Sequence, residues 1–157
     1  MIDVAALVAR LLRNHAIVAT AESCTGGMVA AAITDIAGSS AIFDRGFVTY
    51  SNEAKSQMLG VPSALIARHG AVSEEVARSM AEGALAHSNA TLAVAITGIA
   101  GPTGGTAEKP VGLVQFACAL KNGKTRHERR IFTGDRAAIR IAARDLALQM
   151  LGNALSG

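Results

Sequence analysis

Residues 91–99, TLAVAITGI, limit the possible folds of this chain more than any other stretch. They are apolar or β-branched almost throughout, so an extended segment here avoids water on both faces. Nine residues cannot span a bilayer, which takes about 20. Followed at once by glycines and a proline, the run reads as a buried central strand. Such a strand needs helices on both sides. The chain supplies them: helical periodicity in 2–14, 28–38, 52–59, 63–70, 73–88 and 135–155 alternates with extended runs at 16–21, 41–51 and 111–120. The predicted fold class is α/β: one three-layer α/β/α domain over residues 1–157, with a mixed sheet of about five or six strands.

Half of the residues are apolar, but only four Phe and one Tyr are aromatic, so Ala, Val, Ile and Leu must build the core. Asn122–Gly123 is a two-residue hairpin signal leading into KTRHERRIF at 124–132. That segment is charged on both faces, as a protected edge strand would be. In the last helix Ile139, Ala143, Leu146 and Met150 form an apolar stripe, opposite Arg136, Arg140 and Arg144.

Several function classes lose support. A net charge of +3 spread thinly along the chain is not a nucleic-acid stripe. The start carries Asp3, Arg10 and Arg13 at helical spacing, so neither an export signal nor a membrane span is expected, and the expected location is the cytoplasm. Cys24 and Cys118 read as two free thiols of a reducing compartment. His15, His69, His87 and His127 have no ligand spacing, so no metal is expected. Walker A and G-x-G-x-x-G patterns are absent, which removes the usual signatures of nucleotide hydrolysis and hydride transfer.

Two strand exits remain as sites. In open α/β sheets ligands bind beyond the carboxyl ends of strands. ESCTGG, residues 22–27, follows one strand, and TGIAGPTGG, residues 97–105, follows another. Gly26, Gly27, Gly98, Gly101 and Gly104 permit close backbone approach and can aim N–H groups at an anion. Ser23 and Cys24 are rival nucleophiles, and strand alternation sends them in different directions. Lys55, in YSNEAK at 50–55, can serve as a base only if neutral, through burial or a neighbouring cation such as Arg140. From spacing alone the favoured reading is a solvated lysine paired with Glu53 or a neighbour.

TAESCTGG at 20–27, ITDIAGSSAIFDRGFVTYSNEAKSQMLGV at 33–61 and AITGIAGPTGG at 95–105 together resemble the CinA C-terminal domain family, over essentially the whole chain. Members that stand alone resemble nicotinamide-mononucleotide amidases, and the larger members carry an N-terminal molybdopterin-binding-like domain that is not seen here. The resemblance implies hydrolysis of nicotinamide mononucleotide to nicotinic acid mononucleotide and ammonia, without a cofactor. It implies Ser23 as nucleophile, Lys55 as base and Tyr50 as a positioning or polarising group. It further implies a substrate-binding set of Glu22, Thr25, Gly26, Gly27, Ser39, Thr97, Gly98, Gly101, Gly104, Arg136 and Arg140, with Arg140 preferred over Arg136 as the arginine that reaches the site. A homodimer is expected. The alternatives are a catalytically silent nucleotide-binding or regulatory domain, and a competence-linked partner role.

Overall fold

Strands β1 (Val18–Glu22) and β3 (Leu92–Gly98) run parallel, side by side, at the centre of a five-stranded sheet in the computed structural model, which describes residues 2–155. The strand order is β2-β1-β3-β4-β5, with β2 at Phe43–Val48, β4 at Leu113–Leu120 and β5 at Arg126–Ile131. β2 is parallel to β1, whereas β4 and β5 are antiparallel, so the sheet is mixed.

The sheet has two chemically different faces. Val18, Leu92, Val94, Ile96, Val114, Phe116 and Cys118 point toward α1 (Val4–Arg13), α2 (Met28–Thr34) and α6 (Arg136–Leu155). Ala19, Ala21, Ala93, Ala95, Ala117 and Ala119 point the other way, toward α3 (Asn52–Leu59), α4 (Ser63–His69) and α5 (Glu74–Ala86). The period of two in strands sorts the large residues to one side and alanines to the other. The α6 side therefore carries most of the hydrophobic stabilisation, at about 1.5–3 kcal/mol for each buried Val, Leu or Ile. The alanine side lets α5 lie close with its own small residues, Ala77, Ala81 and Ala84. Gly83 continues this close approach: a Cβ there would collide with the carbonyl oxygen of Leu59 at the end of α3.

Three local readings are corrected. The Asn122–Gly123 pair does not make a two-residue hairpin, because β4 and β5 are joined by residues 121–125. Thr125 is held by α5 instead: its hydroxyl donates to Glu82 and its carbonyl accepts from Arg78. Those bonds delay the strand until Arg126, and Gly123 keeps an ordinary negative φ. The helix expected over 28–38 ends at Thr34, where the Ile36 N–H bonds back to Ile33 and tightens the turn. A 3₁₀ turn at Ser39–Ala41 follows and leads to the start of β2. Ser39 thus lies at the opposite end of the sheet from the carboxyl ends of β1 and β3, which removes it from any site there.

Candidate active site

The carboxyl ends of β2, β1 and β3 open on one edge of the sheet, where the order passes from β2 on one side of β1 to β3 on the other. This is the switch point at which parallel sheets bind ligands. Ser23 follows β1 directly, Thr49 and Tyr50 follow β2, and Thr97–Gly98 close β3.

Lys55 reaches this edge from α3. Ser51 caps that helix, its hydroxyl accepting the Ala54 N–H at 3.0 Å. Lys55 and Leu59, one turn apart, form the buried face of the helix. A lysine occupies a core position, only 1% exposed. Its Nζ lies 3.1 Å from Ser23 Oγ, 3.0 Å from the Thr49 carbonyl oxygen and 3.3 Å from that of Tyr50.

These partners fit a neutral amine. Two N–H bonds can go to the two carbonyl oxygens, which leaves the nitrogen lone pair facing the Ser23 hydroxyl. No carboxylate pairs with Lys55 among the described residues, and burial pushes its pKa below the ordinary lysine value. The cation suggested as the depressing neighbour, Arg140, is not among the causes. Cys24 is different. Its side chain packs in the apolar cluster on the α6 side, and burial raises its thiol pKa to about 11, which keeps it protonated and unreactive near neutrality.

Ser23 and Lys55 border a cavity of about 190 Å³ that also touches Cys24, Tyr50, Thr97, Gly98 and Arg136. Thr97 is buried and donates its hydroxyl hydrogen to the Ala71 carbonyl at 2.9 Å. Arg136 crosses the mouth, donating to the Gly101 carbonyl at 2.7 Å and to the Tyr50 hydroxyl at 3.1 Å. It thereby ties the Gly-rich loop to the end of β2. Among the described residues, no three His, Cys, Asp or Glu side chains gather to hold a metal ion.

Apart from Ser39, the remaining anticipated residues lie around this cavity, not in it. Glu22 is 1% exposed, and its carboxylate accepts from Thr25 Oγ1 at 2.6 Å and from the Val29 and Ala30 N–H groups at the start of α2. It and Thr25 are occupied in holding the turn after Ser23, so neither side chain faces a substrate. Gly26 and Gly27 take positive φ values of 58° and 107° in that turn. Gly104 sits in the exposed part of the loop. Arg140 binds the Cys24 and Thr25 carbonyls from the α6 side, so the arginine at the cavity is Arg136, contrary to the preference drawn from sequence. Asn52, Ala71, Val72 and Ala100 also line the cavity and were not anticipated. Only Asn52 had a signal, its place beside the Ser51 cap. The small apolar residues bear none.

A mixed α/β sheet with a buried, hydrogen-bonded serine–lysine pair at its switch point defines the class of domain. Within that class, the chain belongs to the CinA C-terminal domain family, whose model matches residues 3–155. It is 61% identical over 141 residues to a nicotinamide-nucleotide amidohydrolase, PncC, of Escherichia coli K12, covering 90% of this chain and 86% of that protein. A protein of the same name from Enterobacter agglomerans is 56% identical over 132 residues, covering 84% and 80%. The crystal structure of the competence/damage inducible protein CihA from Agrobacterium tumefaciens matches with a TM-score of 0.92 at 50% identity, over 100% of this chain and 98% of that one.

Proposed function

We propose that this protein is an amidohydrolase that converts nicotinamide mononucleotide to nicotinic acid mononucleotide and ammonia. The name and 61% identity of the Escherichia coli relative support the substrate, and the 3.1 Å approach of Lys55 Nζ to Ser23 Oγ carries the chemistry.

Ser23 Oγ attacks the carboxamide carbon while Lys55 Nζ takes its proton. The tetrahedral oxyanion collapses, the C–N bond breaks, and the lysine ammonium gives its proton to the departing nitrogen, which leaves as ammonia. A water then attacks the Ser23 ester. Lys55 accepts the water proton and returns it to Ser23 Oγ as the acid departs. The sum is amide plus water to acid plus ammonia.

In this reading the pyridine ring and amide enter the 190 Å³ cavity, and ribose and phosphate extend past Tyr50 and Arg136 at its mouth. Arg136 supplies the positive charge on that side. The role of Tyr50 is to place Arg136 through its hydroxyl, while its carbonyl helps orient Lys55. We assign the protein to the cytoplasm as a homodimer; Cys24 and Cys118 are both free thiols. No helix among the described residues is long and apolar enough to cross a membrane.

Ammonia release measured with nicotinamide mononucleotide, beside free nicotinamide, tests the reading. The wild type releases ammonia from the mononucleotide, and Lys55→Ala does not. Binding of the mononucleotide without ammonia release from the wild type would favour a silent nucleotide-binding domain.

A further inference from the structure

The turn after Ser23 is held at the carbonyls of Ser23, Cys24 and Thr25. The Gly26 N–H donates to the Ser23 carbonyl at 3.1 Å, and the Met28 N–H to that of Thr25 at 3.0 Å. Arg140 supplies the remaining bonds, Nε to the Cys24 carbonyl at 3.0 Å and Nη2 to the Thr25 carbonyl at 3.2 Å. The Cys24 carbonyl has no other donor among the described residues.

On its other side the turn borders the cavity through Ser23 and Cys24, while Thr25 is fully enclosed. The Thr25 N–H finds no acceptor among the described residues, and the Cys24 N–H lies against its own thiol. In a trans peptide the N–H points opposite to the C=O before it. Drawing the Cys24 carbonyl toward Arg140 therefore drives the Thr25 N–H away from α6. Fixing the Ser23 carbonyl on Gly26 sets the direction of the Cys24 N–H in the same manner. Gly26 closes the turn with a φ of 58°, a conformation that suits glycine. Arg140 is half-buried and lies one helical turn beyond Arg136, so α6 touches the nucleophile turn with one arginine and the cavity mouth with the other.

We propose that Arg140 is a positioning residue: by gripping the Cys24 and Thr25 carbonyls it locks the turn that aims Ser23 Oγ and the neighbouring main-chain N–H groups at the substrate carbonyl. The proposal rests on the amidase reading for its kinetic consequence. Attack at the carboxamide places negative charge on the carbonyl oxygen, and aimed N–H donors are worth about 10²–10³ in rate each. A turn displaced by about 1 Å loses a comparable factor. Arg140 touches no substrate in this account, so its loss appears in kcat and hardly in KM.

The test is ammonia release from nicotinamide mononucleotide by Arg140→Ala and Arg140→Lys, with thermal melting and amide hydrogen exchange of residues 23–28 on the same samples. The expected result for Arg140→Ala is a kcat lower by about 10²-fold, with KM changed less than about threefold and faster exchange at Gly26 and Met28, whose N–H groups close the turn. Millimolar methylguanidine restores part of the rate. Arg140→Lys, which keeps the charge but not the two-pronged grip, falls between. A kcat unchanged once corrected for folded protein, or a loss confined to KM, overturns the positioning role. If the wild type itself releases no ammonia, the amidase reading fails on its own, and exchange still decides on Arg140: unchanged protection of the turn in Arg140→Ala refutes the grip, and lost protection upholds it.

Discussion

Ser23 and Cys24 are adjacent in sequence but turn their side chains to opposite faces of the sheet, the hydroxyl to Lys55 on α3 and the thiol into the cluster beneath α6. Geometry thus separates two nucleophiles that composition leaves equal. Ser23→Ala removes the attacking atom, and the account predicts a fall in kcat of at least about 10³-fold. Cys24→Ala leaves only a small cavity, costing about 1 kcal/mol, and keeps most turnover. Steady-state ammonia release on the two variants checks this, and the reverse ranking would contradict it.

Lys55 acts as base only when neutral. Burial lowers its pKa, so the rate should rise with pH through an apparent value below the ordinary lysine value of 10.5. The same shift sets a stability trend. In the window between the lowered folded value and 10.5, the unfolded chain binds more protons than the folded one, so stability rises with pH there. Unfolding free energies of wild type and Lys55→Ala, measured across alkaline pH, should converge on opposite trends: a rise in the wild type and no such rise in the variant.

Tyr50 and Arg136 meet at the mouth of the cavity, where the tyrosine is 63% exposed. Removing one exposed hydrogen bond costs about 0.5–1.5 kcal/mol. Tyr50→Phe is therefore expected to raise KM by roughly two- to tenfold and to leave kcat within a few-fold. Initial-rate kinetics decide. A collapse of kcat at constant KM would make the hydroxyl a proton-transfer group instead.

Gly83 lets α5 touch the end of α3, the helix that carries Lys55. Gly83→Ala should destabilise the fold by about 1–3 kcal/mol, the usual cost of overpacking, despite alanine's better helix propensity. It should lower kcat as well, because α3 must shift to make room. Denaturant unfolding and kinetics on one preparation test both effects together.

Thr20 points the other way energetically. It is fully buried in β1, and its hydroxyl has no partner among the described residues. Thr20→Val replaces that hydroxyl with a methyl of similar shape and should stabilise by about 1 kcal/mol. That corresponds to a melting rise of about 2–4 °C. A lower melting temperature would mean that the hydroxyl is satisfied in solution.

The runs at 16–21 and 91–99 were open to reading as buried strands because apolar and β-branched stretches followed by glycines need only local information. The two-sided chemistry of the sheet follows from the same letters. Lys55 was ambiguous for a physical reason: one helix face decides between solvent and core, and its partners, the Thr49 and Tyr50 carbonyls, are main-chain atoms without sequence identity. Glu22 looked like a ligand because an acid before two glycines suits either a substrate or a helix start, and only tertiary geometry shows its carboxylate spent on α2. Arg136 and Arg140 share one helix stripe, so periodicity could not tell which reaches the cavity and which the turn behind it. Ala71 and Val72 line the cavity through shape alone and leave no chemical trace in the sequence.

The central claim is that the serine oxygen, activated by an uncharged lysine, forms the bond to the substrate. Rapid quenching of the enzyme during turnover of nicotinamide mononucleotide, followed by mass spectrometry of the peptide spanning residues 20–27, tests it most directly. The account predicts a nicotinate-mononucleotide acyl adduct on Ser23 that disappears in Ser23→Ala together with ammonia release. An adduct on Cys24, or ammonia released at the wild-type rate by Ser23→Ala, would contradict it.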